Sequence, residues 1–503
     1  MDDSARKLIS GSTIVFIGFA IGGLFSYLFR IVLAHHLPVY QIGLYFSIIS
    51  FIIFLTLFQK TGTELALVRF LSMWDHEKKY YHIRSALTSL IIFQTIFGLI
   101  FILAVWFFSH WLAINYFKDF SAASYLITAS ILFLLLILED IPRRIFQGFN
   151  NMKWFASLEA IKAAALILFT LIGFSIYQTV WVPLVAFLLA TLLVGIIGLI
   201  IIKKSYPKIN KQNSPKLAEH PSSTSIFKEV YMYGLPLIFF VIGNKAIETL
   251  DLLMLTYFST LDQVGIYSVV LPTAAIGLFI YRPISVAIMP ITTKLWIQNE
   301  KEKLLNLMNI IYKYLIIIMI PIVTLFILFS QEILYYLFGP AYLPGTLPLQ
   351  IILCGILFYG LANINISMLT SMNHSKNAGM FMIYATIINA ILNFILIPLF
   401  GMLGAAISTT IAYLATFVMS YLSIKKINLS TKATVPLPIL QLTILFILTA
   451  IPLFWFLSEQ NTALLPKCIF ASVLITIYIV MLAILRLFTL TELKSIIASL
   501  RNQ

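Results

Sequence analysis

Apolar residues run through this chain in blocks of about twenty, unalternated and separated by short polar breaks. A helix of that length crosses the hydrocarbon core of a bilayer, whereas the strands of a membrane barrel would alternate over segments of about ten residues. Lipid offers the backbone no hydrogen-bond partners, so such blocks must close their bonds internally as helices. The pattern predicts about fourteen transmembrane helices, at 8–34, 42–58, 86–108, 122–138, 155–176, 180–202, 230–258, 264–290, 308–329, 348–370, 378–400, 402–424, 436–457 and 466–488. The expected fold class is an all-α integral membrane protein. The first block, Leu8–Ala34, is too long for a signal-peptide core and lacks a small-residue cleavage pattern, so it reads as a span. Between the second and third spans, Thr61–Trp74 sets Glu64 and Arg69 among apolar residues and reads as an amphipathic helix near the cytoplasmic surface.

The blocks repeat. A shift of 222 residues carries Gln41-Ile-Gly-Leu-Tyr45 onto Gln263-Val-Gly-Ile-Tyr267 and Asn151 onto Asn373. Under the same shift, spans one to six fall on or close to spans seven to twelve, which indicates an internal duplication. Six is even, so both halves share one orientation, as in a parallel repeat about an axis along the membrane normal. The expected organisation is a six-helix lobe at 1–202, a cytoplasmic Lys/Ser/Pro-rich linker at 203–228, a second six-helix lobe at 229–427 and two extra helices at 428–503.

Composition sharpens this picture. Of 503 residues, 61% are hydrophobic and 10% charged; a soluble domain carries about 25% charged residues. The formal charge of +14 invites a nucleic-acid partner, but the position of the charges excludes one. With the N-terminus in the cytoplasm, 27 of the 33 Lys and Arg residues fall in cytoplasmic segments and only Lys118 and Lys467 in outer ones. That bias orients the chain with both termini in the cytoplasm of a cell bounded by this membrane, where the basic loops meet anionic lipid headgroups. Cys354 and Cys468 lie within apolar blocks and read as packing residues, not as a disulfide or metal pair.

Four basic residues remain inside spans: Arg30, Lys162, Lys245 and Arg282. A charge at mid-span costs about 2.5–3.5 kcal/mol on insertion scales, so each should face a cavity or a partner. Arg30, Lys245 and Arg282 are candidate cavity cations for an anionic substrate, since Arg and Lys give phosphate charge-assisted hydrogen bonds. Each has a competing reading. Arg30 could anchor at the outer interface, Lys245 could pair with Glu248, and Arg282, beside Pro283, could snorkel to the inner headgroups. Glu248 and Asp251, one turn apart, are candidate cavity or coupling carboxylates, and Glu159 and Lys162 a candidate gate pair or a local salt bridge. Asn389 and Asn393 share a face of span eleven, for a ligand or for a neighbouring helix. His35 and His36 have no third ligand in view, and no metal site is expected. A nucleotide-binding GxxxxGK[ST] loop does not occur, so the drive would be an H+ or Na+ gradient or the membrane potential, without a cofactor.

Three stretches carry a family resemblance. Gly22–Tyr45 (GGLFSYLFRIVLAHHLPVYQIGLY) resembles the opening of polysaccharide-biosynthesis flippases of the O-antigen type, the oligosaccharidyl-lipid branch of the multidrug/oligosaccharidyl-lipid/polysaccharide exporter superfamily. Tyr233–Tyr267, with Gly234-Leu-Pro236 and Asp251 ahead of QVGIY, is similar to it as well. So is Asn389–Ser408, with its NxxLNxxxIPxxGxxGAA pattern. The resemblance implies a non-enzymatic transporter that moves a polyprenyl-(pyro)phosphate-linked oligosaccharide across the cytoplasmic membrane by alternating access. Its partners would be that substrate, membrane lipids and the glycan polymerase or glycosyltransferase machinery. The related lipid II flippases keep a cavity-facing arginine near the end of span one, and Arg30 matches that position. Two other readings compete. A multidrug/cation antiporter of the same superfamily would have twelve spans and a cavity dominated by carboxylates. A membrane glycosyltransferase or polymerase would need a large outer loop, and the longest here lie near 109–121 and 330–347.

Overall fold

A computed structural model describes residues 3–207, 222–279, 281–427 and 464–484, and every regular element among them is helical. Eleven of these helices are long and apolar enough to cross a membrane. The helices Leu237–Phe258 and Leu464–Ile484 occupy the places of the seventh and fourteenth expected spans. The thirteenth, at 436–457, lies outside the described residues, as does most of the linker expected at 203–228.

The first half runs α1 (Asp3–His36), α2 (Val39–Lys60), α3 (Thr63–His76), α4 (Tyr80–Asn115), α5 (Ala122–Ala129), α6 (Leu132–Gly148), α7 (Met152–Phe174) and α8 (Trp181–Ser205). The second runs α9 (Ser223–Gly234), α10 (Leu237–Phe258), α11 (Leu261–Ala275), α12 (Tyr281–Ile297), α13 (Lys301–Leu328), α14 (Ser330–Phe338), α15 (Thr346–Ser371), α16 (Ser375–Phe400) and α17 (Met402–Lys426), followed by α18 (Leu464–Ile484). Helix boundaries repeat the duplication residue by residue. His36 and Phe258 end equivalent helices, Val39 and Leu261 begin the next, and the offset is again 222. It drifts to 221 between Tyr80 and Lys301 and to 223 between Met152 and Ser375. Even the turns recur. Phe117 N bonds Leu112 O in one half, and Gly339 N bonds Leu334 O at the same position in the other.

One expectation is corrected by a residue. The left-handed turn position equivalent to Asn373 (φ 66°) is Asn150 (φ 55°), not Asn151, which sits at the N-cap position of the following helix. Asparagine suits both turns because its side chain tolerates this backbone region.

Prolines divide expected spans. Leu235-Pro236 separates α9 from α10, and a 3₁₀ turn at Ile276–Phe279 separates α11 from α12, whose first turn holds Pro283. Helix α3 is the amphipathic helix expected over 61–74, and its apolar stripe of Ala66, Leu67, Phe70, Leu71 and Trp74 is buried against other helices. Ile226 and Val230 of α9 belong to the same cluster, so the Lys/Ser/Pro-rich stretch ends in a helix docked on α3 and α4.

Two compact units emerge. One gathers the described residues of Ile9–Val269 with Asn389–Ala405; the other gathers those of Val270–Ile388 and Ala406–Gln503. In the second, Tyr312 donates to Asn365, whose amide donates to Ser420 at 3.1 Å, and Lys467 pairs with Glu332 at 2.6 Å, tying α18 to α14. The candidate site residues whose side chains are described all lie in the first unit.

Candidate functional site

Helix α6 carries Glu139, Asp140, Arg143 and Arg144 in two i, i+4 pairs, and each pair faces a different neighbour. Toward α7, Arg143 bonds Glu139 at 3.1 Å and also Glu159, while Lys162 bonds Glu139 at 2.6 Å. Toward α2 and α3, Lys60 pairs with Asp140 and, at 2.8 Å, with Glu64, and Arg144 reaches Glu64 at 2.6 Å. Thr61 and Gly62 are both left-handed (φ 48° and 72°), and the sharp corner they make holds Lys60 and Glu64 side by side. Each quartet holds two cations and two carboxylates. Their charges balance locally, as burial demands.

Glu159 and Lys162 therefore meet through Arg143 and Glu139, not through a direct bond. Sequence reasoning missed the quartets because Lys60, Arg143 and Arg144 look like loop charges under the positive-inside count. The readable signal was the pair of i, i+4 spacings in Glu139-Asp140-x-x-Arg143-Arg144.

Asp251 on α10 is fully buried. One carboxylate oxygen accepts hydrogen bonds from Asn393 Nδ2 at 2.7 Å and Asn389 Nδ2 at 3.2 Å; the other accepts from Tyr267 OH at 2.6 Å. Asn393 Nδ2 also reaches Asn389 Oδ1 at 3.1 Å, and Asn393 Oδ1 is unpartnered among the described residues. The i, i+4 asparagine pair thus serves an interhelical contact. The three described partners all donate hydrogen bonds to the carboxylate and so hold Asp251 in place between α11 and α16. Among the described residues, no three His, Cys, Asp or Glu side chains gather as a metal site.

The two family-like stretches meet near this point. Gln263 of the QVGIY run accepts a hydrogen bond from Met402 N at 2.8 Å and so caps α17, while Gly401 (φ 58°) turns the chain tightly against the same amide.

Arg30 on α1 donates from Nε to Ser268 O and from Nη1 to Ser26 O, each at 3.1 Å, and its guanidinium lies 4.9 Å from the Phe46 ring centroid. No carboxylate among the described residues pairs with it. The contacts orient the group without neutralising it, which leaves a net positive charge available to an anion. The side chains of Lys245, Glu248 and Arg282 lie outside those described.

A profile of polysaccharide biosynthesis proteins matches residues 8–296, more than half of the chain. The chain belongs to the polysaccharide biosynthesis protein family. A relative in Methanocaldococcus jannaschii, an uncharacterized membrane protein, is 25% identical over 435 residues, covering 84% of this chain and 85% of the relative. A Haloferax volcanii protein described as "Probable low-salt glycan biosynthesis flippase Agl15" is 26% identical over 191 residues, 37% of this chain and 40% of that protein.

Among solved structures, the lipid II flippase MurJ in an inward closed conformation superposes with a TM-score of 0.72 at 18% identity, covering 95% of this chain and 98% of that one. An inward-facing multidrug transporter of the MATE family gives a TM-score of 0.63 at 14% identity, covering 85% and 98%. This member of the family therefore has the fold of a multi-pass membrane transporter of the cell membrane.

Proposed function

We propose that the protein is a flippase that moves a polyprenyl-(pyro)phosphate-linked oligosaccharide across the cytoplasmic membrane by alternating access, with both termini in the cytoplasm. Arg30 carries this reading. It is a guanidinium within a span, oriented by two carbonyls and a ring and without a carboxylate partner among the described residues. Such a group suits a phosphate whose lipid tail stays in the bilayer while the glycan passes through the protein. Family membership in polysaccharide biosynthesis and the Haloferax volcanii relative described as a probable glycan biosynthesis flippase support the same substrate class.

Lys245 and Arg282 would complete the phosphate clamp. Glu248 and Asp251 would couple transport to H+ or Na+ or sense the membrane potential. Glycosyltransferases or a glycan polymerase would supply the cargo and receive it.

The reading is tested by replacing Arg30, Lys245 and Arg282 with glutamine, singly and together, in cells whose glycan export depends on this protein. Export should fall with each substitution and cease in the triple variant at unchanged protein levels. Intact export in the triple variant would remove the phosphate clamp from the account.

A further inference from the structure

Helices α1 and α7 run parallel and touch at Gly18–Gly22 and again at His36. A Cβ on Gly18 would fall 2.6 Å from Ala156 Cβ, and one on Gly22 3.0 Å from Glu159 Cγ. Phe19 meets Phe155 with centroids 5.9 Å apart, and His36 stacks on Phe174 at 4.7 Å. Gly18 and Gly22, one turn apart, are the small residues that let two membrane helices approach closely. The group beneath Gly22 is unusual for such a contact. It belongs to Glu159, the end member of the α6–α7 quartet of Glu139, Arg143, Glu159 and Lys162.

The duplication supplies an internal control on what these charges are for. Helices α6 and α7 correspond to α15 and α16 at an offset of 223. At that offset the four charged positions become Ala362, Ile366, Met382 and Ala385. Ala362 and Ala385 are fully buried and Met382 nearly so. The second half thus places apolar residues at all four positions and buries three of them, so the repeated fold accommodates these positions without charges. Well-packed apolar residues commonly match or exceed a buried ion pair in stability, so the charges in the first half call for another explanation. A second difference accompanies them: at the offset of 222 that relates α1 to α10, the position of Arg30 becomes Leu252. The half that carries the quartet is the half whose first helix carries the guanidinium.

We propose that the α6–α7 quartet is an ionic seat for α1, and that Glu159 and Gly22 are positioning residues that set Arg30 for the substrate phosphate. Arg143, bonded to both Glu139 and Glu159, fixes the Glu159 carboxylate in place. Gly22 of α1 rests on the Cγ of that side chain and Gly18 on Ala156 one turn before it, and the Arg30 guanidinium is carried two turns further along the same helix. The phosphate part of this inference rests on the proposed function; the seat itself does not.

The test uses the full chain in nanodiscs with geranylgeranyl diphosphate as the probe. Glu159→Gln removes one of the four charges of the seat, and Gly22→Ile lifts α1 while leaving all four in place. Each should weaken probe binding about tenfold when Arg30 is present and by less than about twofold in an Arg30→Gln background, the non-additivity expected of residues acting through one another. Equal losses in both backgrounds, or no loss in either, overturn the positioning role. If Arg30→Gln alone binds the probe as the wild type does, the phosphate reading of Arg30 fails instead. The seat is then decided by spin labels at Leu28→Cys and Leu168→Cys, both exposed positions, in a chain with Cys354 and Cys468 replaced. The distance between them should shift in Gly22→Ile and Glu159→Gln, and an unchanged distance overturns the seat.

Discussion

Gly43 and Gly265 occupy the same place in the two halves of the chain and pack against each other. A Cβ on Gly43 would lie 1.8 Å from Leu261 O, and one on Gly265 would lie 2.2 Å from Val39 O. Val39 and Leu261 are themselves separated by 222 residues, so the contact is self-complementary in the manner of a two-fold interface. The repeated Q-x-G-x-Y run is thus explained by packing. Only a residue without a side chain lets the starts of α2 and α11 cross this closely.

Because the crossing is symmetric, its two glycines should be equally intolerant. Gly43→Ala and Gly265→Ala should each destabilise the protein by about 1–3 kcal/mol, the range for forced overpacking, and the larger Leu should prevent folding at either site. Thermal unfolding in detergent checks this, and a large difference between the two sites would show that the contact is not shared equally.

The quartet between α6 and α7 makes a contrasting prediction for single and combined changes. Glu139→Ala leaves Arg143 and Lys162 without their shared carboxylate and should cost about 3–5 kcal/mol. Replacing all four charges by the second-half residues, as Glu139→Ala, Arg143→Ile, Glu159→Met and Lys162→Ala, should recover most of that loss. Unfolding midpoints for the single and quadruple variants measure the difference. A quadruple variant less stable than Glu139→Ala would contradict the equivalence drawn between the halves.

Asp251 should prove sensitive to a change that preserves its shape. Asp251→Asn removes the charge to which Tyr267, Asn389 and Asn393 donate, and its amide nitrogen can replace the oxygen facing Tyr267 only if that hydroxyl turns round to accept. The expected loss is on the order of 2 kcal/mol, as for hydrogen bonds to a charged group. If Asp251 is the coupling carboxylate, the same variant should also abolish the dependence of transport on an H+ or Na+ gradient. Transport that keeps its full ion dependence in a folded Asp251→Asn protein would assign coupling elsewhere.

Orientation is open to direct labelling. Lys79→Cys should react with a membrane-impermeant maleimide only from the cytoplasmic side, and Lys118→Cys only from outside, since both side chains are exposed and the basic segments are expected in the cytoplasm. The opposite pattern would invert the topology.

The hydropathy pattern revealed much of this architecture because lipid imposes a single length scale on every span. The duplication was equally visible, since Gln41–Tyr45 and Gln263–Tyr267 preserve the residues needed for a close crossing. Asp251, Asn389 and Asn393 stood out as polar residues within apolar spans, and the structure joins all three in one cluster. Less was visible where charge has two uses. Lys60, Arg143 and Arg144 lie where orientation signals also lie, so counting them as cytoplasmic loop charges hid the pairs they make with Glu64, Glu139, Asp140 and Glu159. The packing partners of helix α3 were hidden for a related reason. An amphipathic stripe is the same in sequence whether it faces headgroups or a protein groove, and only the tertiary partners Ile226 and Val230 distinguish the two.

The most direct measurement of the central claim is translocation by the purified chain in proteoliposomes loaded with a fluorescent polyprenyl-diphosphate-linked oligosaccharide. The account predicts that the glycan becomes accessible to an impermeant quencher or glycosidase on the opposite face at a rate set by the protein, and that Arg30→Gln slows this rate at equal reconstitution. Glycan that stays on its original side with folded, correctly inserted protein under H+ and Na+ gradients and an imposed potential would contradict it.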